Sequence, residues 1–141
     1  MDPLWELEHS VETKADLPFA WAYLSNVANW DDPPAEFALK GPFADGARGT
    51  TKMPGQPTRE WNLRDVRPPE TYTVAGDLGG ATLSCIWTFE PAGEGRARLT
   101  QRLVLDGEKA AEYREPVEAA FAPNLAPGMA RIAAAIERYA S

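Results

Sequence analysis

Trp5-Glu6-Leu7-Glu8-His9-Ser10-Val11-Glu12, followed three residues later by Asp16-Leu17-Pro18-Phe19-Ala20-Trp21-Ala22-Tyr23-Leu24-Ser25-Asn26, is the passage that decides the fold. The first eight residues alternate: Trp5, Leu7, His9 and Val11 fall on one side, and Glu6, Glu8, Ser10 and Glu12 on the other. A period of two predicts a strand with one buried face. Asp16 then offers a side-chain acceptor for free backbone N–H groups, and Pro18 is tolerated in a first turn, so a helix from about Leu17 to Ser25 follows. Asn26 to Asp32 can add a second short turn before Pro33-Pro34 stops it. A half-buried strand leading straight into two short helices places helices at the start of a sheet protein.

The rest of the chain completes that plan. Thirteen Pro and 11 Gly are spread along the sequence as punctuation. Gly41-Pro42, Pro54-Gly55-Gln56-Pro57, Arg67-Pro68-Pro69, Asp77-Leu78-Gly79-Gly80 and Pro91-Ala92-Gly93-Glu94-Gly95 separate about six short strands, and connections this short favour antiparallel hairpins. Trp61 and Leu63 alternate with polar neighbours, as do Leu83, Cys85, Trp87 and Phe89, and then Leu99, Gln101, Leu103 and Leu105. After Asp106-Gly107 the composition turns to Ala and Glu. Val117, Phe121, Leu125, Met129, Ile132, Ile136 and Tyr139 then recur at three- and four-residue steps, an amphipathic stripe. Pro116, Pro123 and Pro127 prevent one unbroken helix. The expectation is a short helix near Glu108 to Phe121 and a longer one from near Asn124, with Asn124 as its cap.

The 141 residues make one domain, 1–141, with a core large enough to be stable without staples. A formal net charge of −7 argues against nucleic-acid partners and anionic membranes, because both need clustered cations. Cys85 is the single cysteine and His9 the single histidine, so neither a disulfide nor a zinc site made from this chain alone is expected. Met1-Asp2-Pro3-Leu4-Trp5-Glu6 has no basic segment followed by an apolar run, and nowhere do ~18 apolar residues run together. A cytoplasmic protein without stable membrane insertion is the expectation. The glycines of 76–80 and 93–95 lack a phosphate-loop lysine or a dinucleotide-binding context, and no cofactor is expected.

Strand, two short helices, about six antiparallel strands and a long helix make an α+β plan. One curved sheet of about seven strands buries a single face, and only the last helix is long enough to cover it. The passage Ala15 to Asn26 with the following Trp30, the phrase Trp61-Asn62-Leu63-Arg64-Asp65-Val66-Arg67-Pro68-Pro69, and the closing Leu125 to Glu137 together resemble the START-like or Bet v 1-like superfamily, also called SRPBCC. Within it they are most similar to the bacterial polyketide cyclase/dehydrase-like branch. The resemblance covers nearly the whole chain and implies a helix-grip fold, in which the sheet wraps the C-terminal helix and leaves an apolar cavity. It implies a small hydrophobic molecule (lipid, sterol, polyketide or aromatic) as partner. A polyketide cyclase/dehydrase-type enzyme is the alternative, and a co-chaperone-like module that binds protein clients is a second one. A shared fold does not choose among them.

Candidate lining residues are His9, Trp61, Leu63, Leu83, Cys85, Trp87, Gln101 and Leu103 from the strands, with Phe121, Leu125, Met129 and Ile132 from the closing helices. In an enzyme, His9 is the candidate proton carrier, because histidine ordinarily titrates near ~6.5, and Gln101 the candidate stabiliser of an enolate-like oxygen. The alternative for both is structural, since buried polar groups find partners and these two can satisfy each other. Five tryptophans suit a flat ligand and equally suit a filled core. Cys85 has no basic neighbour in sequence and reads as a wall residue. Asp31-Asp32 and Asp65 read as solvated turn carboxylates. Arg48, Arg59, Arg64, Arg98 and Arg102 mostly fall on the wet sides of strands, where a one-residue register shift would turn one inward to hold a carboxylate.

Overall fold

A computed structural model describes residues 4–30 and 34–140. The expectations for Met1 to Pro3, Asp31-Asp32 and Pro33 therefore lie outside the described residues. β1 (Trp5–Thr13) runs into α1 (Leu17–Leu24), followed by a single 3-10 turn at Val27–Asn29. Six strands come next: β2 (Glu36–Leu39), β3 (Arg48–Lys52), β4 (Arg59–Arg67), β5 (Thr71–Asp77), β6 (Thr82–Pro91) and β7 (Ala97–Asp106). α2 (Ala110–Phe121) and α3 (Leu125–Ala140) close the chain. The strands form one antiparallel sheet in the order β1-β7-β6-β5-β4-β3-β2, so only β1 and β7 meet by a long-range connection. This is the seven-stranded plan expected from the punctuation.

Local chemistry sets the element boundaries. Asp16 accepts from the Phe19 N–H at 2.9 Å, Pro18 lies in the first turn of α1, and Ala20 and Leu24 face the core. Asn26 starts the 3-10 turn by accepting from the Ala28 N–H at 3.1 Å. α2 runs through Pro116 and ends where Pro123 lacks the N–H needed to continue. Asn124 stands directly before α3, the position expected of its cap, but its side chain serves the other helix. Its side-chain amide donates 2.8 Å back to the Ala120 carbonyl at the end of α2, while its own carbonyl accepts from Gly128 N as α3 begins. Asn124 therefore ties off the preceding helix, because the break leaves the last α2 carbonyls without intrahelical donors.

One face of the sheet is dry and the other wet. Inward lie Trp5, Leu7, His9, Val11 and Thr13 of β1 against Leu105, Leu103, Gln101, Leu99 and Ala97 of β7. Outward, Glu6 meets Arg102, Ser10 bonds Thr100 at 2.8 Å, and Glu12 takes Arg98 at 3.3 Å and Arg96 at 3.5 Å. Arg64 bonds Asn62 and Arg48 is exposed on the outer face, while Arg59 shares the face of Trp61 and Leu63 but lies at the exposed start of β4, so none of the five arginines is buried against the dry face. The register slips at one place, between Arg64 and Arg67 of β4, where Asp65 takes a φ of +52° and the Val66 N–H donates to Asp45. This one-residue bulge falls beyond Trp61 and Leu63, whose inward orientation is preserved.

α3 lies across the dry face beside β1. It buries Leu125, Met129, Ala133 and Ile136, and Thr13 donates 2.9 Å to the Ala133 carbonyl. Among the described residues no helix is long and apolar enough to cross a membrane.

Candidate functional site

The inner face divides into a packed end and an accessible middle. At the packed end, Tyr72 is fully buried and lies beside Trp21, Trp30, Phe43, Trp87 and Phe89, with centroid separations from 4.9 to 6.4 Å. Trp30 also tilts against Trp61 at 5.4 Å. Most of the polar atoms of these rings are occupied. The Tyr72 hydroxyl (3.1 Å) and the Trp30 indole N–H (2.8 Å) both donate to the Leu24 carbonyl, and Trp61 donates to Thr51 at 3.0 Å. Trp61 and Trp87 keep 7% exposure each. Here the tryptophans fill the core, which is the common use of large aromatic rings.

The middle differs. His9, Leu7 and Val11 of β1, Gln101 of β7, Leu83 and Cys85 of β6, Val74 of β5 and Ile132 of α3 point inward yet are only half-buried. Cys85 sits at the centre of a central strand, opposite Val74 of β5 and Leu103 of β7. Its accessible surface lies on the concave face of the sheet, because the outer face of β6 is occupied by Ser84 and Ile86. Leu63, Leu103, Leu125 and Met129 close the space as buried walls.

His9 and Gln101 are register partners across β1 and β7, and Gln101 in turn faces Trp87 on β6. The Gln101 Nε2 donates 2.9 Å to the Cys85 sulfur, joining two of the candidate residues into a polar spot, with His9 beside them in the register. Burial pushes the Cys85 thiol up to about 12, offset in part by hydrogen bonds from Gln101 and Trp87. Burial likewise raises the Tyr72 hydroxyl, with a smaller contribution from Cys85. Both groups therefore stay neutral, and the thiol is no nucleophile at neutral pH.

This has a measurable consequence. Above the ordinary thiol value of 9.0 the unfolded chain gives up a proton that the folded chain retains until about 12, so stability falls as pH rises through that window. At ~1.4 kcal/mol per unit, urea unfolding at pH 8 and pH 10.5 should show wild type losing on the order of 1–2 kcal/mol more than Cys85→Ala. An equal loss in both proteins would mean that the thiol is not desolvated.

Phe121 departs from the expected lining. It is 37% exposed, because Pro123 ends α2 directly after it and the stripe resumes on a second helix axis at Leu125. Leu7, Val11 and Val74 line the accessible middle without having been singled out. The alternation of β1 already marked the first two. Two wider depressions, of about 520 and 510 Å³, lie elsewhere: one beside Arg67, Glu70 and Phe89, the other between the 3-10 turn and β2. Among the described residues no cluster of three or more His, Cys, Asp or Glu could hold a metal.

A sequence profile of the polyketide cyclase / dehydrase and lipid transport family matches residues 5–137. The chain belongs to that family. Solved structures agree on the helix-grip architecture. Norcoclaurine synthase from Thalictrum flavum, as a point mutant with a transition-state analogue, is 16% identical, covers 97% of this chain and 96% of its own, and has a TM-score of 0.74. A protein from Nitrosomonas europaea reaches the same TM-score of 0.74 at 10% identity, over 99% and 98% of the two chains. One from Thermobifida fusca gives 0.73 at 14% identity, over 94% and 93%. At these identities the likeness establishes the fold. No curated protein sequence matches the chain. As a member of the polyketide cyclase / dehydrase and lipid transport family with a Bet v 1-like fold, the protein falls in a class associated with small hydrophobic ligands.

Proposed function

We propose that the protein holds a small hydrophobic molecule, of lipid, polyketide or aromatic type, between the concave face of its sheet and α3. The observation that carries this reading is the accessible surface kept by inward-facing residues in the middle of central strands, above all Cys85, Leu83 and Gln101. A core built only for stability closes such space, since interiors pack to crystal-like density and voids cost energy. The walls are aliphatic, and the polar groups are few and neighbouring, which is the usual composition of a small-molecule site. The proposed contacts are His9, Leu83, Cys85, Gln101, Leu103, Met129 and Ile132. Leu63 and Leu125 back them, and Trp61 and Trp87 border the packed end.

Native mass spectrometry of gently purified protein, followed by denaturing extraction, tests the reading. The expected result is a co-purifying apolar molecule, or saturable micromolar uptake of the neutral fluorophore N-phenyl-1-naphthylamine by the apo protein. An apo mass with no uptake would overturn it.

A second reading is favoured by the direct pairing of His9 with Gln101. In a cyclase or dehydrase, His9 would carry the proton and Gln101 would face the developing oxygen charge. Norcoclaurine synthase, which has this fold, has been seen with dopamine and hydroxybenzaldehyde, so the architecture is compatible with catalysis on aromatic substrates. Turnover of an identified substrate that survives His9→Gln would remove this mechanism.

A further inference from the structure

The charge inventory of the inner face supports a statement about ligand class. Among the described residues, the inward rows of β1, β5, β6 and β7 and the α3 residues that pack on them carry no Asp, Glu, Lys or Arg, and the inward row of β4 carries one only at its exposed start, Arg59, two residues before Trp61 and away from the accessible middle. The charged side chains of β1 and β7 that alternate with these rows are turned out, and several are paired there, Glu6 with Arg102 and Glu12 with Arg98 and Arg96. Glu118 bonds the Trp5 indole N–H at the rim but is itself exposed. The hydrogen-bonding atoms of Tyr72, Trp30, Trp61 and Thr13 are all committed within the protein. What remains for a ligand in the accessible middle is the His9 ring and the Gln101 amide. The Gln101 Nε2 is held on the Cys85 sulfur, which leaves its oxygen free to accept.

From this arrangement we infer that the site selects uncharged ligands: an apolar body carrying one neutral hydrogen-bonding group, a hydroxyl or carbonyl, set against His9 and Gln101. This rests on the binding reading above and deepens it. The physical ground is desolvation. An ionised carboxylate, sulfonate or ammonium moved out of water into such a space loses its hydration and finds no counter-charge to replace it. A neutral hydroxyl needs only one or two hydrogen bonds, and the polar spot supplies them. The raised thiol and phenol of Cys85 and Tyr72 report the same poor solvation of charge from the protein's own side. Gln101 is then the specificity-determining residue, because it occupies the one inward position of β7 that is polar, flanked by Leu99 and Leu103.

The test uses two fluorophores that share one skeleton, N-phenyl-1-naphthylamine and its sulfonated counterpart 8-anilinonaphthalene-1-sulfonate, titrated into the full chain. Wild type should bind the neutral probe at least tenfold more tightly than the anion. Gln101→Lys, which places a cation at the polar spot, should reduce that ratio at least tenfold. Thr100→Lys, which adds the same charge on the outer face of β7, should leave the ratio unchanged. A ratio that Gln101→Lys does not move, or a wild type that takes both probes equally, overturns the selectivity and leaves the binding reading intact. Failure of wild type to bind either probe overturns the binding reading itself.

Discussion

Gly49→Ala is expected to lower the unfolding free energy by about 3 kcal/mol, near the upper end of what overpacking a core costs. Gly49 lies on β3 directly opposite Trp61 on β4, and the six-membered ring of that indole rests on the glycine backbone. A Cβ built there would stand 2.2–2.5 Å from three carbons of the Trp61 ring, far inside van der Waals contact. The alanine methyl cannot rotate away. The ring cannot retreat freely either, being hydrogen-bonded to Thr51 and backed by Trp30. Relief therefore requires either the strands to separate or the indole to leave its place in the aromatic group. For a chain of this length the loss corresponds to roughly 10 °C in Tm. The control is a double-mutant cycle: in a Trp61→Leu background the same glycine change should cost under about 1 kcal/mol, because the obstructing ring is gone. Similar costs in both backgrounds would mean that the close approach of ring and backbone is not what requires glycine at position 49.

Tyr72→Ala carries the other large effect, about 4 kcal/mol, in the range found when a large buried aromatic is truncated. The residue is fully buried and touches five other rings, so its removal opens a cavity that stiff neighbours cannot collapse to fill. Tyr72→Phe should cost only about 1 kcal/mol or less. The Leu24 carbonyl, left without an intrahelical donor because Leu24 ends α1, is held twice, by the Tyr72 hydroxyl and by the Trp30 indole. Losing one donor leaves the acceptor satisfied, and a satisfied acceptor avoids the larger penalty of an orphaned one. Combining Tyr72→Phe with Trp30→Phe removes both donors, and their joint cost should exceed the sum of the separate costs by about 1 kcal/mol. Chemical denaturation of the four proteins measures this directly. Strict additivity would mean that the carbonyl is solvated and that the two rings do not act as its cap.

The outline of this fold was legible because each well-patterned strand keeps one wet face, and because proline and glycine sit where the chain turns. Trp5 to Glu12, Leu83 to Phe89 and Leu99 to Leu105 declare their inward sides by alternation alone. The pairing of His9 with Gln101 across more than 90 residues comes instead from the family resemblance, which sets the last strand beside the first; alternation supplies only the facing sides. The details that were hidden depend on backbone or on distant partners. The bulge at Asp65 is a backbone event in a stretch whose side-chain pattern continues plausibly on either side. The seat of Trp61 on Gly49 needs the β3–β4 register, and β3, Arg-Gly-Thr-Thr-Lys, has almost no hydrophobic pattern from which to read one. Phe121 fell on an apolar stripe drawn through two helices as though they shared an axis, an assumption that Pro123 breaks. The site was legible as a set of inward positions, while the division into a packed aromatic end and an accessible middle depends on ring orientations that no spacing encodes.

The charge ladder on the outer surface of β1 and β7 bears on self-association. β1 ends the sheet, so its far side offers a row of backbone groups that a second copy of the same strand could pair with. Antiparallel pairing centred on His9 would set Glu6 of each copy against Glu12 of the other. Centring on Ser10 would oppose Glu8 to Glu12, and centring on Leu7 would oppose Glu6 to Glu8. Like charges directly opposite each other are unfavourable on a sheet, while Arg98 and Arg102 can neutralise these carboxylates only from within one molecule. The alternation that turns the apolar side chains of β1 toward the interior thus also makes its edge poor at templating filaments, a protection that high salt would weaken by screening.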